Sequence, residues 1–448
     1  MKLLDHFNLS YKVEDVRRMR NEYGKDSEID SGVFYHAVVD SFTKEGNEDH
    51  SNLQQSFSRN RFYRKASSFT IQKINKDFSG TYRCVDVGCG PRLLLGNVFG
   101  KEWMRLFNSN KVVLQVTGLD AHEQFVKTAE QYSKNEVFHN SNGLVKVNGI
   151  VGDAAENKKS LEALSKADVA IHEVFGSLLG AECMSRLLKN ISKDTVVIPD
   201  TGATLFKLAS FSRNSISKMI NSKSNNNIHI YRKVSYVRNL NFEATGGISD
   251  NIGILELYKN GSKPGGAKKW AKRGSQKYTS RFKCVRDGVV HALACWIHLG
   301  HGDVKKDFST SQRNRNRAKF QCEMENSFEV RHHLPTKKEK KKKKTMEKNI
   351  VYVPRREIRL STNGSDPISS ANEGAWKNPL IFLPNPVKVK EETDLVIASQ
   401  IKNIGTKHQK YMIKVFLVDS RTPGKKTEQV ADIELTMADL YPWYSDCE

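Results

Sequence analysis

The chain lacks any paired-cysteine framework. Its seven cysteines (Cys84, Cys89, Cys183, Cys284, Cys295, Cys322 and Cys447) are scattered and form no Cys-x-x-Cys spacing. That argues against a disulfide scaffold and against a zinc centre, and it suits a reducing compartment. Also missing is any apolar run approaching the ~20 residues that cross a bilayer. The opening Met1-Lys2-Leu3-Leu4-Asp5-His6 has no apolar core of the kind a secretory leader needs. The expected location is therefore the nucleus, the cytoplasm or both, with no membrane partner. Apolar residues make up only 38% of 448 positions. A chain of this length holds two or three domains, and so low an apolar share implies that part of it is solvated insertion.

Acidic residues are in short supply, 50 against 72 Lys+Arg, for a net charge of +22. The imbalance is local. From Lys259 to Arg286 there are ten basic residues and no acid, and a second block runs through Lys337-Lys338-Glu339-Lys340-Lys341-Lys342-Lys343-Lys344. Such blocks repel themselves and act as interaction tails or localisation signals. The stretches 259–286 and 312–365 are predicted to be partly disordered.

What the chain does contain is a succession of short apolar runs with helical patterns between them. Tyr82 to Val87 is β-branched and leads into Gly88-Cys89-Gly90, after which Leu93-Leu94-Leu95 opens an apolar helix-like stretch. Strand, tight turn and helix in that order let the backbone approach a ligand where a helix begins. Val112 to Leu119 is a second strand closed by Asp120, the position from which an acid accepts ribose hydroxyls. A third strand, Leu144 to Val151, ends in Gly152-Asp153-Ala154. Asp153 there is either an adenine-amino acceptor or the N-cap of the next helix. Two more strands, Ala167 to His172 and Thr195 to Ile198, complete an alternating pattern that predicts a doubly wound parallel sheet.

The fourth strand runs into His172-Glu173-Val174-Phe175-Gly176-Ser177-Leu178-Leu179-Gly180-Ala181-Glu182. Ligands of open α/β sheets bind outside the carboxyl ends of the strands, where Glu173 stands. Two acids on such a loop suit a planar cation rich in donors, and guanidinium fits best. The plainer role for Glu182 is to complement the start of a following helix. Beyond residue 200 the runs 201–208, 289–298, 395–398 and 411–418 read as strands without helices between them, predicting an antiparallel β domain.

Together these pieces resemble the protein arginine methyltransferases over roughly residues 55–420. The resemblance rests on Val85-Asp86-Val87-Gly88-Cys89-Gly90, on Asp120, on Asp153-Ala154, and on Glu173 and Glu182 at the family's nine-residue separation. It also rests on Arg59 with Tyr63 and Ala66, similar to the family's Arg-x-x-x-Tyr-x-x-Ala helix, and on Gly374-Ala375-Trp376. The resemblance implies an α/β Rossmann-like class I methyltransferase domain followed by an antiparallel β-barrel-like domain. The expected division is a helical segment at 1–75, a cofactor domain at 76–200, and a barrel at 201–448 carrying the basic insertions. The implied cofactor is S-adenosyl-L-methionine, bound by Arg59, Asp86, Gly88, Cys89, Gly90, Asp120, Asp153 and Ala154. Glu173 and Glu182 are the implied catalytic pair and Trp376 the implied pocket wall. Implied partners are an Arg-rich protein substrate, histone-like or Arg/Gly-rich, and a second copy or a partner methyltransferase. Two positions depart from the family pattern. Arg92 replaces the third glycine of the turn, where it is expected to crowd the cofactor, and Ala375 replaces the histidine before Trp376. Both leave room for an alternative, an inactive regulatory subunit.

The block at 337–344 reads as RNA contact through phosphates, as a nuclear targeting run or as a plain solvated linker. Deleting it and following both localisation and salt-sensitive RNA retention separates them. Loss of RNA retention alone marks the first, and loss of nuclear accumulation alone marks the second.

Overall fold

The computed structural model describes residues 57–74, 78–106, 112–176, 178–182, 184–210, 233–238, 248–249, 251–259, 268, 271–272, 274–302, 328–332, 350–354, 359–361, 377–406, 408–418 and 427–440. Two sheet systems follow one another along the chain. The first is a five-stranded parallel sheet of β1 (Gly80–Val87), β2 (Val112–Asp120), β3 (Val145–Val151), β4 (Val169–His172) and β5 (Val196–Ile198), in the spatial order β3-β2-β1-β4-β5. The order reverses between β1 and β4, which places the crevice of the fold at the turn after β1 and the loop after β4.

The sheet is covered as a parallel sheet must be. Helix α1 spans Phe57–Gln72 and α2 spans Leu94–Leu106. Leu95, Phe99 and Trp103 recur at helical spacing on α2, all buried. Trp103 stacks on Tyr82 of β1 with centroids 5.1 Å apart. Burying side chains of this size contributes about 1.5–3 kcal/mol each. Helix α3 (Glu123–Tyr132) packs Phe125, Val126 and Ala129 inward. Helix α4 (Lys158–Ser165) starts at Asn157, whose side chain accepts from Lys159 N and Ser160 N. The cap of that helix is therefore Asn157 and not Asp153. A shorter helix, α5 (Met184–Asn190), leads toward β5.

The antiparallel half begins at once with β6 (Thr201–Ala209) and continues through β7 (Val234–Arg238), β8 (Gly253–Lys259), β9 (Ser275–Lys283), β10 (Gly288–Gly300), β11 (Phe328–His332), β12 (Ile350–Pro354), β13 (Arg359–Ser361), β14 (Lys377–Val389), β15 (Asp394–Lys402), β16 (Lys410–Val418) and β17 (Thr427–Leu435). One sheet runs β7-β14-β10-β6-β8 with β13 added on β10, and another runs β17-β16-β15-β9. β11 and β12 form a separate antiparallel pair. Helix α1 also reaches this half: Thr70 Oγ1 lies 2.9 Å from His301 Nε2, and Phe69 meets that imidazole edge-on at 5.9 Å.

Parts of the two basic stretches form strands. β9 lies inside 259–286, and β11, β12 and β13 lie inside 312–365. The reason is plain in β9. Gln276, Ser280 and Phe282 are buried, whereas Lys277 and Thr279 are exposed. Phe282 pairs with Leu395 and Ser280 with Ile397 on β15. The period-2 alternation puts alternate side chains on the core face and leaves the exposed lysine in water, so the block reads as charged while half of it is core-facing.

Gly118 on β2 is a packing glycine. A Cβ there would stand 2.6 Å from Leu93 Cδ1 and 3.0 Å from Cys89 Sγ, both in the turn after β1. Gly118→Ala is expected to destabilise the fold by about 1–3 kcal/mol through overpacking. Thermal unfolding checks this, and an unchanged melting temperature would show that the turn does not press on β2.

Candidate active site

Four chain segments meet at the switch point. The turn after β1 uses left-handed backbone at Gly88 (φ 68°) and Gly90 (φ 58°), the region glycine enters without steric cost. Gly88 N and Cys89 N both donate to Leu119 O, at 2.9 and 3.0 Å. Gly90 N donates to Asp120 Oδ2 at 3.0 Å, and His122 N donates to Asp120 Oδ1 at 2.9 Å. Asp120 thus ties the turn to the entry of α3. The thiol of Cys89 is buried.

Arg92 does not crowd the crevice. It is exposed, and its guanidinium lies 5.6 Å over the Tyr132 ring of α3. A short 3-10 turn over Gly90–Arg92 carries it outward, and the next residue, Leu93, takes the left-handed conformation (φ 48°) and is buried.

Asp86 is fully buried at the end of β1. Gly96 N, in the first turn of α2, donates to its Oδ2 at 2.7 Å, while Oδ1 is buried with no partner. Burial pushes this carboxyl up to about 7, against the pull of the Gly96 hydrogen bond and the Arg59 charge. Asp153 is held in a local turn, its Oδ1 accepting from Ala155 N at 2.6 Å, and its Oδ2 is likewise buried without a partner. Ala154 beside it packs on the sheet core.

Arg59 of α1 forms an ion pair with Glu173. The guanidinium also lies 5.6 Å over the Tyr63 ring. Tyr63 in turn donates its hydroxyl to His172 O at 2.8 Å, which pins α1 to the end of β4. The other oxygen of Glu173, Oε1, is buried and unpartnered. Glu182 is buried two residues ahead of α5. Trp376 and Ala375 lie outside the described residues. Among the described residues no grouping of acids, histidines and cysteines has the shape of a metal site.

Two features escaped the sequence reading. His172 is fully buried with neither ring nitrogen partnered, beside the Phe175 ring at 5.0 Å. Its signal, a lone histidine closing an apolar strand, is common in cores. The second is Glu256 on β8, a single acid in an apolar run. Its Oε1 accepts from Thr204 Oγ1 at 2.6 Å and from Gly180 N at 3.1 Å. Its Oε2 accepts from the Tyr411 hydroxyl at 3.3 Å.

No family model matches the sequence, and no curated protein sequence matches it. Solved structures do match. A chain of the Trypanosoma brucei PRMT1 enzyme-prozyme heterotetrameric complex with AdoHcy aligns over 86% of this chain and 97% of its own, with TM-score 0.52 and 13% identity. Arabidopsis thaliana protein arginine methyltransferase 10, in an open conformation, aligns over 89% of this chain and 99% of its own, with TM-score 0.53 and 12% identity. The chain therefore has the protein arginine methyltransferase-like fold, a Rossmann-like domain followed by an antiparallel β-barrel-like domain. Among the described residues no helix is long and apolar enough to cross a membrane.

Burial drives the His172 imidazole down to about 3, below its ordinary 6.5. Between those values the unfolded chain binds a proton that the folded chain does not, so this residue makes stability fall as pH falls. The loss amounts to about 2 kcal/mol between pH 7 and pH 5. In His172→Leu that term is gone, and contributions from Asp86 and Glu256 cancel in the comparison. The gap between variant and wild-type melting temperatures should move in the variant's favour on acidification. Parallel curves would show that the imidazole is not buried neutral.

Proposed function

We propose that the protein is an S-adenosylmethionine-dependent protein arginine N-methyltransferase acting on guanidino nitrogens of Arg-rich proteins, histone-like or Arg/Gly-rich. The observation that carries this reading is the state of Glu173. One of its oxygens already holds a guanidinium, that of Arg59, and the other is buried and still open to a donor. A carboxylate in that condition is suited to a second guanidinium presented from the crevice.

The cofactor assignment fits the same chemistry. S-adenosylmethionine brings an ammonium, an adenine amino group and ribose hydroxyls, all donors, together with one carboxylate. Buried acceptors without donors stand at Asp86 Oδ1 and Asp153 Oδ2. Asp120 is anchored at the end of β2 by Gly90 N and His122 N. Arg59, held beside Glu173 at the end of β4, is the cation that would meet the cofactor's carboxylate. Gly88, Cys89, Gly90 and Ala154 would line the bound nucleoside with backbone and small side chains.

The cofactor supplies an electrophilic methyl group on a sulfonium. The protein's own contribution is alignment, because in-line displacement needs the attacking nitrogen preset on the correct face. Glu173 and Glu182 would hold the guanidinium from the acid loop, draw its positive charge toward themselves and leave one nitrogen richer in electrons. Trp376 would wall the pocket. The partner would be a second copy or another methyltransferase, and the basic insertions would contact RNA.

An inactive regulatory subunit is favoured by one observation, the alanine at position 375 where the family pattern has a histidine. Calorimetry with S-adenosylmethionine, followed by transfer of labelled methyl to an Arg/Gly-rich peptide, separates the two readings. Binding with transfer is expected, and binding without transfer would favour the subunit. Glu173→Gln is expected to cut transfer by about 10²–10³-fold while cofactor affinity stays close to wild type. Unchanged turnover in that variant would remove Glu173 from the catalytic pair.

A further inference from the structure

Between its two acids, the loop after β4 is fastened to the barrel by a closed, buried polar network. Leu179 N donates to Thr204 Oγ1 at 2.9 Å, and Thr204 Oγ1 donates in turn to Glu256 Oε1 at 2.6 Å. Gly180 N donates to the same Glu256 oxygen at 3.1 Å. Gln409 Nε2 reaches Gly180 O at 3.3 Å and the Tyr411 hydroxyl at 2.8 Å, while its Oε1 accepts from Gly405 N at 3.0 Å. Thr204, Glu256, Gln409 and Tyr411 are all buried. Three barrel strands or their flanks thus converge on two consecutive peptide groups, and the donors that meet the carboxylate are neutral. A carboxylate out of water is tolerated only where such donors satisfy it.

A side chain at residue 180 would crowd this network. A Cβ there would stand 2.9 Å from Glu256 Oε2 and 3.4 Å from Gln409 Nε2. The side chains on either side are committed as well. Leu178 and Ala181 belong to the barrel core, and Leu179 belongs to the core of the parallel sheet. Glu182 follows immediately.

We propose that Glu256 is a positioning residue: its carboxylate fixes the Leu179–Gly180 backbone to the barrel and so sets where Glu182 stands in the guanidinium site. This role rests on the methyltransferase reading of the loop. Glu256 itself is a buried barrel side chain that acts through Gly180.

The test uses the full-length chain and two readouts. Hydrogen exchange followed by mass spectrometry reports on the 178–182 segment whether or not methyl transfer occurs. Glu256→Ala should speed exchange there by about tenfold or more, with β1 and β2 unchanged. Gly180→Ala, which keeps the carboxylate and forces the loop off it, should do the same. In the methylation assay Glu256→Ala should lower kcat by about tenfold or more with cofactor Kd within about twofold of wild type. Glu256→Gln, which keeps one acceptor oxygen, should recover most of that loss. Unchanged exchange at 178–182 in both alanine variants would overturn the proposal, as would acceleration spread equally over β1 and β2. A wild-type protein that transfers no methyl would overturn the methyltransferase reading instead, and the exchange data would still decide whether Glu256 holds the loop.

Discussion

A carboxylate withdrawn from water must be met by donors that the chain itself provides, and this constraint shapes the crevice at acid after acid. Asp86 takes the amide of Gly96, Asp120 takes those of Gly90 and His122, and Asp153 takes that of Ala155. Glu173 takes a guanidinium, and Glu256 takes a hydroxyl, an amide and a phenol. Five of these eight donors are backbone amides, four of them in turns or loops. The acids therefore determine the path of the turns as much as the turns present the acids. Where one oxygen of such a pair is left over, as at Asp86, Asp153 and Glu173, an acceptor remains directed into a dry site.

Much of the parallel half was legible in the sequence because its signals are local. Short apolar runs between helical patterns mark β1 to β5, and the glycines at 88 and 90 mark the one turn that requires left-handed backbone. The pairing of Arg59 with Glu173 was not legible: it joins residues far apart in the chain, and only the approach of α1 to the end of β4 creates it. β9 was hidden for a different reason. Its lysines dominate any reading by composition, and the alternation beneath them becomes visible only when Phe282 is seen opposite Leu395. Glu256 was missed because a single acid in an apolar strand carries no pattern at all, its meaning residing in the loop that it touches.

Arg92 shows how such a fold tolerates change at 12–13% identity to its solved relatives. A position that reads as a forbidden substitution in a glycine-rich turn is relieved by a short 3-10 segment that turns the side chain out over Tyr132. The next residue, Leu93, takes the left-handed conformation, and its buried side chain helps hold it there.

The four residues 178–181 have a mechanical consequence. Leu179 is rooted in one hydrophobic core, while Leu178 and Ala181 on either side of it are rooted in the other. Any swivel of the barrel against the parallel sheet must pull neighbouring side chains in opposite directions. The segment therefore works as a rivet between the two cores, because displacing it would disturb packing in both at once.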